Sequence, residues 1–322
     1  MEENIKKKFD LKTYFHTTKG RQLVTLICFS FVPLLLLIVF TYYPFVQMVG
    51  FSFFKMKYIG AKEFVGWKNF VKVFSEPEYF SSLKLSFFYM AGSLLQLTIA
   101  LYLATILSFK VKGGNIYKGF MFFPFLINGI AVGFIFKFFF TRGFVFDTVL
   151  GWCGFDLENL PYWLRDQSIN NWSLVGTSVW RYFGQNMVLF IGAIMSVDSN
   201  LYEAAMLDGC NRFQQFIHII LPNIRTVLVL NVILSITGSL SAFEPPYVIT
   251  SGANGTATYF VKMHEVAHTS QKVGQASAMA VVLLVIIIFA TVLQKLFFKY
   301  AFKNVEDDSY SIKRRKRRRR AF

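Results

Sequence analysis

Six long apolar stretches, separated by more polar segments, dominate the chain. Four of them carry no charged residue, the third carries only Lys137 near its end, and the fourth carries only Arg181. Because a helix needs about 20 apolar residues to cross the hydrocarbon core of a bilayer, this pattern predicts an all-α membrane protein with about six transmembrane helices. The predicted spans are residues 22–43, 85–109, 119–138, 172–197, 226–243 and 273–294.

The composition agrees with this pattern and excludes several classes of protein. Hydrophobic residues make up 54% of the 322 residues, charged residues make up only 16%, and the mean hydropathy is +0.45. A soluble protein carries roughly 25% charged residues, so a cytosolic enzyme and a disordered chain are both excluded. Three widely separated cysteines, Cys28, Cys153 and Cys210, cannot form the framework of a secreted disulfide-rich domain.

The basic residues predict how the chain is oriented in the membrane. Lysine and arginine total 34 against 18 acidic residues, and they concentrate before the first span, in the loop after the second and behind the sixth. Cytoplasmic loops carry an excess of lysine and arginine, so we expect a multi-pass protein of the cell membrane with both termini in the cytoplasm. The predicted domains are a cytoplasmic segment, residues 1–21, a transmembrane domain, residues 22–298, and a cytoplasmic basic tail, residues 299–322.

The basic tail contains an uninterrupted run of eight lysines and arginines, Lys313–Arg320. Such a run next to the cytoplasmic end of a span attracts anionic headgroups, so membrane lipid is an expected partner. A purely topogenic role is an open alternative. Nucleic-acid binding would need stacking aromatic residues or a readout fold nearby. Only Tyr310 and Phe322 flank the run, so no nucleic-acid partner is expected.

The loop between the fourth and fifth spans, residues 200–223, predicts two short helices separated by a turn. Gly209 supplies the backbone freedom that a sharp turn requires, and Asn211 is a suitable N-cap for the second helix. Apolar residues recur there at intervals of three and four, which gives the second helix one apolar face. A pair of helices lying along the cytoplasmic surface with few reactive groups predicts a docking surface and not a catalytic site.

The spacing within this loop resembles the EAA loop of permease subunits in binding-protein-dependent ABC importers. That loop reads Glu-Ala-Ala, three residues, Gly, nine residues, then Ile-x-Leu-Pro, and this chain matches every specified position. The resemblance implies that the loop docks onto a separate ATPase subunit. The residues predicted to make or shape this contact are Glu203, Ala204, Ala205, Asp208, Gly209, Phe213, Phe216, Ile217, Leu221 and Pro222.

Further matches extend the resemblance to the sugar-importing branch of the family, of the maltose and multiple-sugar type. They comprise Val179-Trp180-Arg181 in the fourth span and the stretch that begins at Phe243-Glu244, where the family usually has Asp in place of Glu244. The resemblance implies the type I permease fold and a sugar or oligosaccharide substrate. It also implies three kinds of partner: a second permease subunit, generally forming a heterodimer, two ATPase subunits and an external solute-binding protein.

The chain contains no Gly-x-x-x-x-Gly-Lys-Ser/Thr loop that could cradle ATP phosphates. ATP and Mg²⁺ are therefore expected to bind the partner ATPase. This subunit itself is expected to hold no cofactor and to be no enzyme.

Arg181 is the one charge deep within a predicted span, and such residues are candidates for function. Two other interpretations stay open, in which the side chain snorkels to the interface or forms a structural pair with Glu244. Hydroxyl, amide and aromatic groups in the fourth and fifth spans would suit a sugar, and would suit a peptide or polyol nearly as well. The predicted substrate-path residues are Arg181, Tyr182, Gln185, Asn186, Asn231, Ser235, Thr237 and Glu244.

An alternative function follows from the motif His264-Glu265-x-x-His268, which on a helix places two imidazoles over one zinc ion. It would make the chain a membrane-embedded zinc metalloprotease. A catalytic zinc needs a third protein ligand, and the other histidines, His16 and His218, are predicted on the opposite side of the membrane. We therefore expect no metal site.

Overall fold

The computed structural model describes residues 18–109 and 111–301. Most of the predicted N-terminal segment, residues 1–17, and the basic run Lys313–Arg320 lie outside the described residues.

The regular secondary structure of the described residues is helical apart from one short hairpin, in which β1, Phe54–Lys55, pairs antiparallel with β2, Glu63–Phe64. The helices are α1 Thr18–Leu37, α2 Tyr43–Phe51, α3 Lys68–Ser75, α4 Pro77–Leu83, α5 Leu85–Leu107, α6 Gly114–Leu126, α7 Gly129–Phe139, α8 Val145–Trp152, α9 Asn170–Met195, α10 Ser199–Leu207, α11 Arg212–Gln215, α12 Leu221–Leu240, α13 Glu244–Thr250, α14 Tyr259–His264 and α15 Val273–Ala301. Each of the six predicted spans therefore overlaps one or two of these helices.

Within the described residues, four helical stretches are long and apolar enough to cross a membrane: Thr25–Phe51, Pro77–Leu107, Arg212–Thr250 and Val273–Tyr300. The bent pair α6 and α7 adds a fifth if it counts as one span. The remaining predicted span is α9, a helix of 26 residues with a more polar sequence. It packs against α5, α6 and α12. Asn170, Asn171, Ser173 and Thr177 are buried, whereas Trp172, Val188 and Leu189 are exposed, so the polar face of α9 is turned towards protein.

The third span differs from the prediction, because residues 119–138 do not form one continuous helix. The axes of α6 and α7 meet at 95° across a break at Ile127 and Asn128. Pro124 lies inside the last turn of α6 and has no N–H to donate. The side chain of Asn128 then caps the new helix by accepting a hydrogen bond of 2.9 Å from the Ile130 N–H.

The first span is longer than the predicted residues 22–43, because the helix continues past Pro44 as far as Phe51. Pro44 has no N–H, and a π-helical turn at Ile38–Tyr42 accommodates it, with Tyr43 N–H donating to the Ile38 carbonyl. None of the residues in the most apolar part of this helix is buried. The surface of that part is thus available to lipid or to another chain, whereas α2 packs against α15.

The tightest packing lies where α5, α9 and α12 meet. Ala100, Ala104, Met187, Phe190 and Ile224 are each no more than 1% exposed there. A second apolar cluster joins α15 to α3, α4 and α14, with Val73, Tyr259 and Met279 at its centre. The chain thus holds a three-helix core, with a smaller subdomain built on α15.

One buried carboxylate organises the segment between α7 and α9. Asp147 is 3% exposed and accepts hydrogen bonds from Arg142 at 2.9 Å, the Gly143 N–H at 2.6 Å and the Trp163 indole at 2.7 Å. Burial by itself would raise the pKa of this carboxyl, but these hydrogen bonds and the Arg142 charge together lower it. Asp147 is therefore ionised and joins Arg142 to Trp163, which are 21 positions apart in the chain.

Candidate functional site

A cavity of about 430 Å³ lies between α5, α9 and α12, below the turn that precedes α13. Its wall contains one carboxylate, Glu244, and otherwise uncharged groups that donate or accept hydrogen bonds. These polar groups belong to Tyr89, Ser93, Gln96, Ser178, Tyr182, Gln185, Asn186, Asn231, Ser235, Ser239 and Ser241. Aromatic rings with hydroxyl and amide groups form the kind of surface that binds a neutral polar ligand through several hydrogen bonds.

The structure brings six of the eight predicted path residues to this cavity, namely Tyr182, Gln185, Asn186, Asn231, Ser235 and Glu244. Arg181 lines a smaller adjoining pocket, together with Gly129 and Glu244. Thr237 does not line either cavity. The lining residues of α12 recur at 231, 234, 235, 238 and 239, which is the helical repeat, and Thr237 lies on another face.

Sequence reasoning missed the contribution of α5. Tyr89, Ser93 and Gln96 lie at intervals of four and three on one face of that helix and line the cavity. The hydroxyl of Tyr89 is buried and has no hydrogen-bond partner among the described residues. The signal was present in the sequence, because these three are polar residues at helical spacing within an otherwise apolar span.

The ion pair predicted as one alternative for Arg181 is present. Its guanidinium bonds the Glu244 carboxylate and donates to the Tyr182 hydroxyl at 3.1 Å, and it lies 5.0 Å from the centre of the Tyr182 ring. The Arg181 side chain is 14% exposed and that of Glu244 is 42% exposed. This pair therefore stands at the rim of the cavity, with the carboxylate on the open side.

A packed apolar layer separates the cavity from the segment between α9 and α12. Met187, Phe190 and Ile194 of α9 are at most 2% exposed, and they pack against α5 and against Ile220 and Ile224. The cavity consequently occupies the half of the bundle away from that segment.

The segment between α9 and α12 has the predicted form of two short helices with a turn. Gly209 has a φ of +76°, which is the left-handed region where a side chain is disfavoured. The Asn211 side chain caps α11 by accepting from the Gln214 N–H, and the Asn211 N–H donates to the side-chain oxygen of Gln214, which completes a capping box. A π-helical turn at Phe216–Ile220 then leads into α12. We call residues 199–222 the docking segment.

The apolar face predicted on the docking segment is divided between two directions. Phe213 is 72% exposed and Ile217 is also exposed, whereas Phe216 is half-buried and packs against the core. Met206 and Leu207, which sequence reasoning missed, are exposed beside the turn. The structure places the other predicted residues as follows: Glu203, Ala204, Asp208 and Pro222 exposed, Leu221 half-buried and Ala205 buried.

The histidines of the alternative motif do not form a metal centre. The rings of His264 and His268 lie 4.3 Å apart, but Glu265 pairs with Lys262 and His268 Nδ1 lies 2.9 Å from the Tyr58 hydroxyl. Burial, and then the neighbouring His268, lower the pKa of His264. Within the described residues, no three His, Cys, Asp or Glu side chains are grouped to hold a metal ion. The zinc protease hypothesis has no support.

Comparison with known proteins gives consistent results. The family model of the binding-protein-dependent transport system inner membrane component matches residues 96–301. The chain is similar to the probable ABC transporter permease protein YesP of Bacillus subtilis, at 34% identity over 70% of this chain and 75% of the relative. It is also similar to the arabinooligosaccharides transport system permease protein AraP of Bacillus subtilis, at 30% identity over 73% and 76% of the two chains.

Two further comparisons concern a probable carbohydrate permease and a solved structure. The probable starch degradation products transport system permease protein AmyD of Thermoanaerobacterium thermosulfurigenes is 29% identical over 73% of this chain and 80% of the relative. A chain of a bacterial ABC transporter involved in the import of the acidic polysaccharide alginate superposes with a TM-score of 0.71 at 20% identity, covering 86% of this chain and 97% of that chain. With the helical bundle and the family match together, this chain belongs to the family of binding-protein-dependent transport system inner membrane components and is a transmembrane permease.

Proposed function

We propose that this chain forms part of the path for a sugar or oligosaccharide through an ABC importer and couples that path to a separate ATPase. The observation that carries the proposal is the pairing of two features at opposite ends of one helical core. One is a cavity lined by hydroxyl, amide and aromatic groups, and the other is an exposed docking segment with the Glu203-Ala204-Ala205 and Gly209 spacing. The carbohydrate names of the relatives AraP and AmyD support the choice of substrate class.

The proposal implies the partners that the family resemblance suggests. A second permease subunit completes the path, most simply as a heterodimer, and two ATPase subunits bind ATP and Mg²⁺ on the cytoplasmic side. An external binding protein delivers the sugar; a solved alginate transporter of the same fold is in complex with such a periplasmic protein. Closure of the ATPases would then rock the two permeases between inward-facing and outward-facing states.

The test is whether the docking segment couples the ATPase. We expect Glu203→Lys and Gly209→Val to leave the protein inserted in the membrane but to lower both copurification of the ATPase and sugar-stimulated ATP hydrolysis. An added Cβ at Gly209 meets no atom within 4 Å, so the cost of Val there is backbone strain, about 1 kcal/mol or more.

Two matched controls separate coupling from general damage. Gly209→Asn should be tolerated better than Val, because Asn adopts the left-handed conformation more readily. Glu158→Lys makes the same charge change at an exposed position outside the docking segment and should leave both readouts unchanged. Normal copurification and normal hydrolysis in both Glu203→Lys and Gly209→Val would refute the proposal.

A further inference from the structure

The Arg181–Glu244 ion pair is placed where three parts of the chain meet. Arg181 projects from α9, Glu244 is the first residue of α13, and Gly129, the first residue of α7, lies against both side chains, so that a Cβ at this position would overlap them. Building on the function proposed above, we propose that Arg181 is a positioning residue which holds α7 and α13 closed over the mouth of the cavity. We call α7 and α13 together the lid.

The lid covers the cavity directly. Phe243, Glu244 and Pro245, at the start of α13, form part of the cavity wall. The ring of Phe243 stacks on Tyr247 with their centroids 4.7 Å apart. Moving the beginning of α13 would therefore open that wall.

The two helices of the lid are packed closely enough to move as one body. A Cβ at Gly133 would lie 2.5 Å from a methyl group of Val248, so the backbone of α7 approaches α13 as near as a glycine allows. Gly129 and Gly133 are four residues apart and thus lie on the same face of α7. Small residues at this spacing permit close helix packing inside a membrane.

The two helices of the lid pack on each other more extensively than they pack on α9. α13 packs more extensively on α7 than on α9. Between α9 and the lid, the described residues include the ion pair of Arg181 with Glu244, the ring contact of Trp180 with Phe136 at 5.1 Å, and a small apolar cluster in which Ile249 of α13 packs with Leu174 and Val175 of α9. The chain after α13 is held by a hydrogen bond of 2.6 Å from Thr258 Oγ1 to the Ala242 carbonyl and by one of 2.7 Å from the Asn170 side chain of α9 to the Asn254 carbonyl.

Because Arg181 is buried, the free energy of its charge differs between the closed and the open lid. Its side chain is largely buried, and Nε has no hydrogen-bond partner among the described residues. A buried cation without a counter-charge is strongly disfavoured, so the guanidinium favours the closed lid in which Glu244 neutralises it. Opening the lid requires that water or the hydroxyl groups of a bound ligand replace that carboxylate.

The test uses the assembled transporter, with Arg181→Met, Glu244→Gln and the double variant. We expect each single variant to raise ATP hydrolysis in the absence of binding protein by about fivefold or more, since coupling between sites is commonly of that size. The stimulation ratio on adding sugar-loaded binding protein should fall accordingly. The double variant should match the single variants and not multiply them, because all three lose the same contact.

Two further variants exclude a general loss of structure. Glu244→Asp keeps the charge and should retain most of the low basal rate. Lys262→Met removes an ion pair of 2.7 Å with Glu78 in the α15 subdomain, away from the cavity, and should hydrolyse ATP at the wild-type basal rate.

A second measurement does not depend on the ATPase. With the three native cysteines replaced, Ser235→Cys places a reporter in the cavity wall. An impermeant maleimide should label it faster when Arg181→Met or Glu244→Gln is present.

Wild-type basal hydrolysis and wild-type labelling rates in both single variants would overturn the role of the pair, as would effects that multiply in the double variant. If instead the unaltered complex shows no stimulation by sugar-loaded binding protein, it is the proposed function that fails, and the two failures are thereby distinguished.

Discussion

The hydroxyl of Tyr89 lies buried in the cavity wall with no hydrogen-bond partner among the described residues. An unsatisfied buried polar group of this kind costs roughly 1–3 kcal/mol. Neighbouring residues behave differently: the Asn231 amide already donates to the Val227 carbonyl at 2.8 Å, and Ser239 donates to the Ser235 carbonyl at 2.7 Å. At the residue scale, Tyr89 is therefore the cavity-lining tyrosine whose hydroxyl is free to bond a ligand once the cavity wall moves.

We predict that Tyr89→Phe weakens sugar transport without weakening the fold. Removing a hydroxyl that bonds nothing in the protein should leave the melting temperature unchanged or slightly higher. Loss of one hydrogen bond to a sugar should raise the KM for uptake by about fivefold to tenfold, corresponding to roughly 1 kcal/mol. Uptake kinetics and thermal unfolding of the same preparation check both parts, and an unchanged KM would remove Tyr89 from the site.

The docking segment shows how a single element can divide its apolar residues between two tasks. Phe213 and Phe216 are three positions apart, yet Phe213 is exposed and Phe216 packs against the core. Exposed aromatic residues of this type commonly dominate the energy of a protein interface.

We predict opposite outcomes for Phe213→Ala and Phe216→Ala. Phe213→Ala should lower ATPase copurification by about tenfold, which a loss of roughly 1.4 kcal/mol produces, and leave the stability of the isolated permease unchanged. Phe216→Ala should destabilise the permease by about 1–2 kcal/mol, less than for a fully buried phenylalanine. Copurification and thermal unfolding are to be measured on both variants. If the two variants behave alike, Phe213 and Phe216 do not have separate roles.

The segment between α7 and α9 depends on the charge of Asp147. Its pKa is lowered in the folded protein, so the stabilisation is present above the ordinary pKa of an aspartate, about 3.9, and is lost only as the pH falls through the lower folded value. We predict that the segment stays protected from hydrogen exchange at pH 5 and loosens below about pH 4.

Asp147→Asn should loosen the same segment at every pH, at a cost of about 1–3 kcal/mol. Asp156→Asn is a matched control, because Asp156 is exposed in the same segment. Equal protection in wild type and Asp147→Asn at neutral pH would show that the carboxylate does not hold the segment.

At the scale of the whole molecule, the three cysteines can report the orientation of the chain. Cys28 lies in the first span, Cys153 follows α8, and Cys210 lies in the docking segment. With one cysteine retained at a time, we predict that an impermeant maleimide labels Cys153 in intact cells and labels Cys210 only after permeabilisation. Cys28 should resist labelling in both cases. Labelling of Cys210 in intact cells would reverse the predicted orientation.

The sequence by itself determined the features that depend on residues close to one another along the chain. The apolar runs predicted six spans, and within the described residues four helices, or five with the bent pair α6 and α7, are long and apolar enough to cross a membrane, because the thickness of a bilayer sets their length. The spacing from Glu203 to Pro222 identified the docking segment and the family. The left-handed turn at Gly209 and the cap at Asn211 were also predicted correctly, because both depend on local backbone chemistry.

Only the tertiary structure decided what depends on contacts between distant segments. Tyr89 and Asn231 line one cavity although 142 positions separate them, Thr237 lies away from it, and Phe216 packs inward. Arg181 meets Glu244 across 63 positions at the break in the third span, and that break itself was not predicted. The reason is physical: the sequence pattern shows which side chains are polar, but the angle at which each helix presents them is set by how the helices pack together.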